Sequence, residues 1–127
     1  MAVLPNVLIL GSAKCATTLL HFYMSQHPDV FMAAKKECHH DVPPELYEEK
    51  YRPVDSLDDY KAMFAGTEGF KVRGESSPMY LFYESTAERV ASLIPDAKLI
   101  AVLRNPADRT YSAYLHAVRD GIEDLDF

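Results

Sequence analysis

The sequence predicts an α/β fold: an open parallel sheet of buried strands with helices on its faces. Three observations predict it. Two short β-rich apolar runs, VLIL at Val7–Leu10 and LIAVL at Leu99–Leu103, have the unbroken hydrophobicity of strands covered on both sides. Each run passes through a short polar turn into a segment whose apolar residues recur at helical spacing. Strands that alternate with helices in this way are joined by crossovers, and crossovers make parallel neighbours.

The elements follow in order. After the first strand, Leu19, Leu20, Tyr23 and Met24 mark a helix from Thr17 to Gln26, which His27-Pro28 stops because a residue before proline disfavours the helical conformation. Between Asp41 and Asp59 the chain turns polar and acidic and is broken by Pro43, Pro44 and Pro53, so irregular surface structure with at most a short helix is expected. Phe70–Val72 reads as another short strand, and Gly74-Glu75-Ser76-Ser77-Pro78 as the turn after it. Ala87, Val90, Ala91 and Ile94 place a helix over Ser85–Ile94, closed by Pro95. Beyond Leu103, Asn105 is an N-cap, Pro106 the first helical residue and Asp108 an acid in the first turn of a helix running to about Val118. On that helix Tyr111, Tyr114 and Leu115 lie at core spacing. No internal repeat or low-complexity tract interrupts the pattern.

Composition narrows the functions open to such a fold. The 127 residues are 48% hydrophobic and 25% charged, enough for one globular domain with a core. A net charge of -6 disfavours a nucleic-acid or anionic-membrane partner, so an anionic ligand must be held by a local site. The apolar runs are too short to span a bilayer and no signal peptide opens the chain, which leads us to expect a cytoplasmic protein without a membrane partner. Two cysteines, Cys15 and Cys38, lack framework spacing and fit a reducing compartment.

Two strand-to-helix junctions carry polar residues where open α/β sheets bind ligands, at the carboxyl ends of strands. The first is Gly11-Ser12-Ala13-Lys14-Cys15-Ala16-Thr17-Thr18. Lys14 can neutralise an anion while backbone N–H groups from Cys15 to Thr18 and the threonine hydroxyls donate to its oxygens. The pattern is not the Walker A loop, which has a glycine before its lysine and a hydroxyl after it to hold Mg²⁺. The alternative is an ordinary turn with a solvated lysine. At the second junction Arg104 ends a strand, and Ser112 falls one turn beyond Arg109 on the next helix, so a guanidinium and a hydroxyl can converge. Taken alone, Arg104 could equally cap a carboxylate and Ser112 face solvent. Two anion sites on one sheet edge suit a ligand with two separated phosphates. Cys38-His39-His40-Asp41 could be read as zinc ligands, but adjacent residues rarely close around one ion and no second pair follows at finger spacing, so no metal is expected.

Together these segments resemble the sulfotransferases that use 3′-phosphoadenosine 5′-phosphosulfate (PAPS). Members of that family carry G-x-x-K-S-G-T-T after the first strand and R-x-P-x-x-R-x-x-S after a later one; this chain has GSAKCATT at Gly11–Thr18 and RNPADRTYS at Arg104–Ser112. Between them, SQHPDVFMAAKKECHHD is similar to the S-x-H-P-x-V and K-E-P-H-F-F text of the glycan-type members, and GESSPMYL to their G-E-K-T-P-x-Y. The resemblance implies a P-loop-like α/β fold and a chain covering the N-terminal, nucleotide-binding part of a longer domain. It implies that Lys14 stabilises the bridging oxygen as the S–O bond breaks, that Cys15, Ala16, Thr17 and Thr18 hold the 5′-phosphate, and that Arg104 and Ser112 grip the 3′-phosphate. It implies a catalytic base at Glu37 and a second catalytic residue at His39, with no metal. Without the resemblance, AAKKECHHD also reads as a solvated charged loop.

Three departures stand out: Cys15 and Ala16 replace serine and glycine, Ser76 stands where many glycan-type members have lysine, and His40-Asp41 replaces an aromatic pair. The expected activity is sulfuryl transfer from PAPS to a hydroxyl or amine on a small-molecule or carbohydrate acceptor. The alternatives are a non-catalytic fragment that binds the nucleotide or a partner, including a second copy through an unfinished sheet, and a nucleotide phosphotransferase, which the missing Walker hydroxyl disfavours.

Overall fold

In a computed structural model that describes residues 3–37, 40, 54 and 56–127, the chain forms a four-stranded, wholly parallel sheet. Strand β1 (Val7–Gly11) leads to helix α1 (Thr17–Met24), β2 (Val30–Met32), α2 (Leu57–Ala62), β3 (Val72–Ser76), a 3-10 helix (Pro78–Leu81), α3 (Ser85–Leu93), β4 (Lys98–Ala101) and α4 (Pro106–Arg119). The strand order is β2-β3-β1-β4, so β1 lies between β3 and β4, with Leu8 opposite Glu75 on one side and Leu99 on the other.

The centre of the sheet forms where the sequence is most apolar. Val7, Leu8 and Ile9 are buried, and Leu8 packs with Tyr80, Val90 and Ile94 from the 3-10 helix and α3. A second cluster, Ala33, Val54, Tyr60 and Phe64, gathers around α2. Asn6 sets the entry of β1 against β3: its side chain donates to the Lys71 carbonyl (2.9 Å) and accepts from the Arg73 amide (2.7 Å). Ser56 caps α2 by accepting from the Asp58 and Asp59 amides.

Several elements differ from the sequence reading. Strand β2 was not anticipated, because three residues after a proline give too little periodicity to read. The supposed turn at Gly74-Glu75-Ser76 is the body of β3, running between β2 and β1. It is a strand because both neighbours supply backbone partners, and Gly74 lets Met32 close in: a Cβ there would lie 2.5 Å from the Met32 sulfur. Helix α1 ends at Met24, short of His27-Pro28, with Ser25 as C-cap. The span from Asp41 to Asp59 lies mostly outside the described residues; its last part opens α2.

The largest correction concerns the second apolar run. Leu99 is 56% and Leu103 75% exposed, and α4 has no buried residue, so Tyr111 and Leu115 are surface rather than core. Strand β4 lies at the sheet edge, and among the described residues nothing covers the outer side of this strand and helix. Helix α4 does begin as read: the Asn105 side chain accepts from the Ala107 and Asp108 amides at 3.0 and 3.5 Å, with Pro106 in the first turn. No helix of the described residues is long and apolar enough to cross a membrane.

Candidate functional site

The carboxyl ends of β1 and β4 lie side by side, and the loops that leave them enclose a cleft of about 510 Å³. Lys14, Ala16, Thr17 and Thr18 line it from the first junction, and Arg104 and Ser112 from the second. Adjacent parallel strands bring their outgoing loops to one edge.

The β1–α1 loop is built to present backbone donors. Lys14 and Ala16 take positive φ values of 64° and 63°, so the chain curls tightly before α1. Among the described residues no acceptor faces the amides of Lys14, Ala16, Thr17 and Thr18. Clustered free amides at a helix N-terminus make a seat for an anion. The loop is held from outside by the arginines of the second junction: Arg109 Nε donates to the Ala13 carbonyl at 3.3 Å and Arg104 Nη1 to the Lys14 carbonyl at 3.4 Å. Each guanidinium therefore ties one strand-to-helix junction to the other.

Cys15 departs from the expected arrangement. Its amide donates to Ser12 O (3.2 Å) and its thiol to Ala13 O (3.7 Å), and it is buried rather than on the cleft wall. An inward turn between two left-handed residues leaves its amide nothing to offer a ligand. Gly11 explains the close fit behind the loop, since a Cβ there would stand 2.7 Å from the Pro78 carbonyl.

Glu37 lines the same cleft. Its amide donates to the Ser76 carbonyl at 2.8 Å, its φ is 59°, and its Oε1 is 2.6 Å from Lys36 Nζ, so strand β3 and a neighbouring ammonium both orient it. His39, Cys38 and Asp41 lie outside the described residues, whereas His40 commits its Nδ1 to the Val54 carbonyl at 2.6 Å. Among the described residues no group of three His, Cys, Asp or Glu side chains could hold a metal ion.

Sequence reading did not assign four residues of the wall to the site: Ala13, Pro78, Met79 and His116. The His116 signal was present, because it lies one turn after Ser112 and must share its face of α4. Asp120 Oδ2 lies 3.2 Å from His116 Nδ1, and Arg119 Nη2 lies 2.9 Å from Nε2. His21 of α1 has its pKa lowered by burial first and by Lys36 second, with Glu75 and a hydrogen bond at Ala33 opposing.

A parallel α/β sheet that brings unbonded loop amides, a lysine and a guanidinium to one cleft has the arrangement of the P-loop-like class. Comparison with known proteins makes that class specific: the family model described as "Sulfotransferase family" matches residues 5–126, and the chain belongs to the sulfotransferase family. It is 41% identical, with a TM-score of 0.90, to the crystal structure of a sulfotransferase from Alicyclobacillus acidocaldarius, covering 98% of this chain and 54% of that one. It is 36% identical over 121 residues to the human bifunctional heparan sulfate N-deacetylase/N-sulfotransferase 2, and 30% identical over 118 residues to the membrane-associated sulfotransferase kil1 of Dictyostelium discoideum. These matches cover 89% and 91% of this chain, which spans only 13% and 24% of those two relatives.

Proposed function

We propose that the chain forms the nucleotide-binding part of a sulfotransferase that moves a sulfuryl group from PAPS to a hydroxyl or amine. The observation that carries this reading is the joint lining of one cleft by Lys14 and the free loop amides on one side and by Arg104 and Ser112 on the other. In this reading the amides and the Thr17 and Thr18 hydroxyls hold the 5′-phosphate, while Arg104 and Ser112 hold the 3′-phosphate. Lys14 stabilises the bridging oxygen, which takes the electron pair as its bond to sulfur breaks. The acceptor oxygen or nitrogen bonds to sulfur from the opposite side and gives up its proton to Glu37. Lys36 orients that carboxylate.

The reading is tested by calorimetry and by transfer. Adenosine 3′,5′-bisphosphate should bind without Mg²⁺ and ATP with Mg²⁺ should bind more weakly; the opposite order would mark a nucleotide phosphotransferase. Radiolabelled sulfuryl transfer to a panel of hydroxyl and amine acceptors should be lost in Lys14→Ala and reduced at least about a hundredfold in Glu37→Gln, the usual scale for a general base.

A second reading is favoured by the open side of the sheet. Leu99, Leu103, Tyr111 and Leu115 are all roughly half exposed or more. Apolar surface of that extent marks an association face, and a non-catalytic role would use it to hold a second copy along β4. Sedimentation as a monomer at high protein concentration would contradict that role.

A further inference from the structure

The charged side chain buried most completely in the described residues belongs to neither phosphate junction. Glu75 of β3 is 0% exposed. Three hydroxyls from three places in the chain converge on it: Tyr60 of α2 and Tyr80 of the 3-10 helix reach Oε1 at 2.6 and 2.8 Å, and Ser77 reaches Oε2 at 2.7 Å. Removing a carboxylate from water is costly unless its lone pairs are met, and an apolar residue would serve a central strand more cheaply. The position of the cluster says what it can do.

Two paths lead away from Glu75, one of them to the cleft wall. Ser77 and Tyr80 flank Pro78 and Met79, which line the cleft. The residue between Glu75 and Ser77 supplies the carbonyl that receives the Glu37 amide. Along the other path the Tyr60 ring stacks on the His40 ring, with centroids 4.4 Å apart and planes 11° from parallel. His40 stands three residues after Glu37 in the sequence, and the Glu37 amide itself is held by β3. The phosphate junctions instead rest on β1, β4 and α4.

We propose that Glu75 is a positioning residue: its carboxylate, through Tyr60, Ser77 and Tyr80, holds the Glu37 segment and the Pro78–Met79 wall in place for the acceptor, leaving nucleotide binding to the other side. The inference takes the role of Glu37 from the reading above, and it is tested by a measurement that does not need turnover. Amide hydrogen exchange is followed by NMR in the whole chain for wild type, Glu75→Gln and Tyr60→Phe, the last removing one hydroxyl and almost no volume. The Glu37 amide should exchange about tenfold faster in both variants, while the Ser12 and Val102 amides that join β1 to β4 keep their protection. Affinity for adenosine 3′,5′-bisphosphate should stay within about twofold of wild type, and in transfer assays kcat should fall while the donor KM holds.

Unchanged Glu37 exchange in Tyr60→Phe, or an equal loss of protection at Glu37, Ser12 and Val102, would overturn the proposal and leave Glu75 a purely structural group. Should Glu75→Gln not fold, Tyr60→Phe and Tyr80→Phe decide by the same amides. Failure of wild type to bind the bisphosphate would instead strike the sulfotransferase reading, while the exchange pattern would still decide whether Glu75 controls the Glu37 segment.

Discussion

Strands β1 and β4 are neighbours with similar sequences and opposite surroundings. VLIL of β1 is sealed between β3 and β4 and under α3, whereas the LIAVL run that contains β4 keeps Leu99 and Leu103 in the open. Both runs place a cationic residue at the same rim, so the difference lies in cover rather than in function. An apolar run records that a surface favours burial; it does not say which partner supplies the burial.

Stability measurements can break this contrast, beginning with the largest effect. Leu8→Ala should cost about 2–5 kcal/mol in urea unfolding, as a fully buried leucine does, whereas Leu103→Ala should stay within about 0.5 kcal/mol. Equal losses would mean that β4 is covered in solution. Gly11→Ala comes next, at about 1–3 kcal/mol, because its new Cβ meets the Pro78 carbonyl at a backbone φ of 148°. The reverse change sharpens the account of the loop: Ala16→Gly should stabilise by up to about 1 kcal/mol, since alanine is strained at φ 63°. It should also bring bisphosphate binding closer to that of a loop with glycine there.

The smallest effect is a pH dependence. His21 has a folded pKa below the ordinary 6.5, chiefly because it is partly buried. Below that pH the unfolded chain takes up a proton that the folded chain resists, so stability falls as pH drops from 7 towards 5. His21→Gln should flatten that part of the profile relative to wild type in urea titrations at several pH values. An unchanged slope would remove His21 as its source.

How much was legible follows the same division. The ends of β1, α3 and α4 could be read because proline, an asparagine cap and unbroken apolar runs act locally. Both junctions that line the cleft were visible because lysine, threonine, arginine and serine sit at fixed offsets from strand ends. Strand β3 was misread because Gly-Glu-Ser is turn-like until Tyr60, fifteen positions earlier, supplies a hydroxyl to its buried glutamate. The positive φ of Lys14 and Ala16, which frees the loop amides, cannot be read from a lysine or an alanine themselves; the glycine of the resembled pattern at position 16 was its one signal. The inward amide of Cys15 was hidden for the same reason.

The central claim is that two junctions hold two phosphates of one nucleotide. The direct measurement is calorimetry of wild type, Lys14→Ala and Arg104→Ala with adenosine 5′-monophosphate and adenosine 3′,5′-bisphosphate. Wild type should prefer the bisphosphate by at least about tenfold, Arg104→Ala should lose that preference, and Lys14→Ala should weaken both ligands, since a charge-assisted contact contributes about 1.5–3 kcal/mol. Equal affinity of wild type for the two nucleotides, or an Arg104→Ala variant that still prefers the bisphosphate, would contradict the claim.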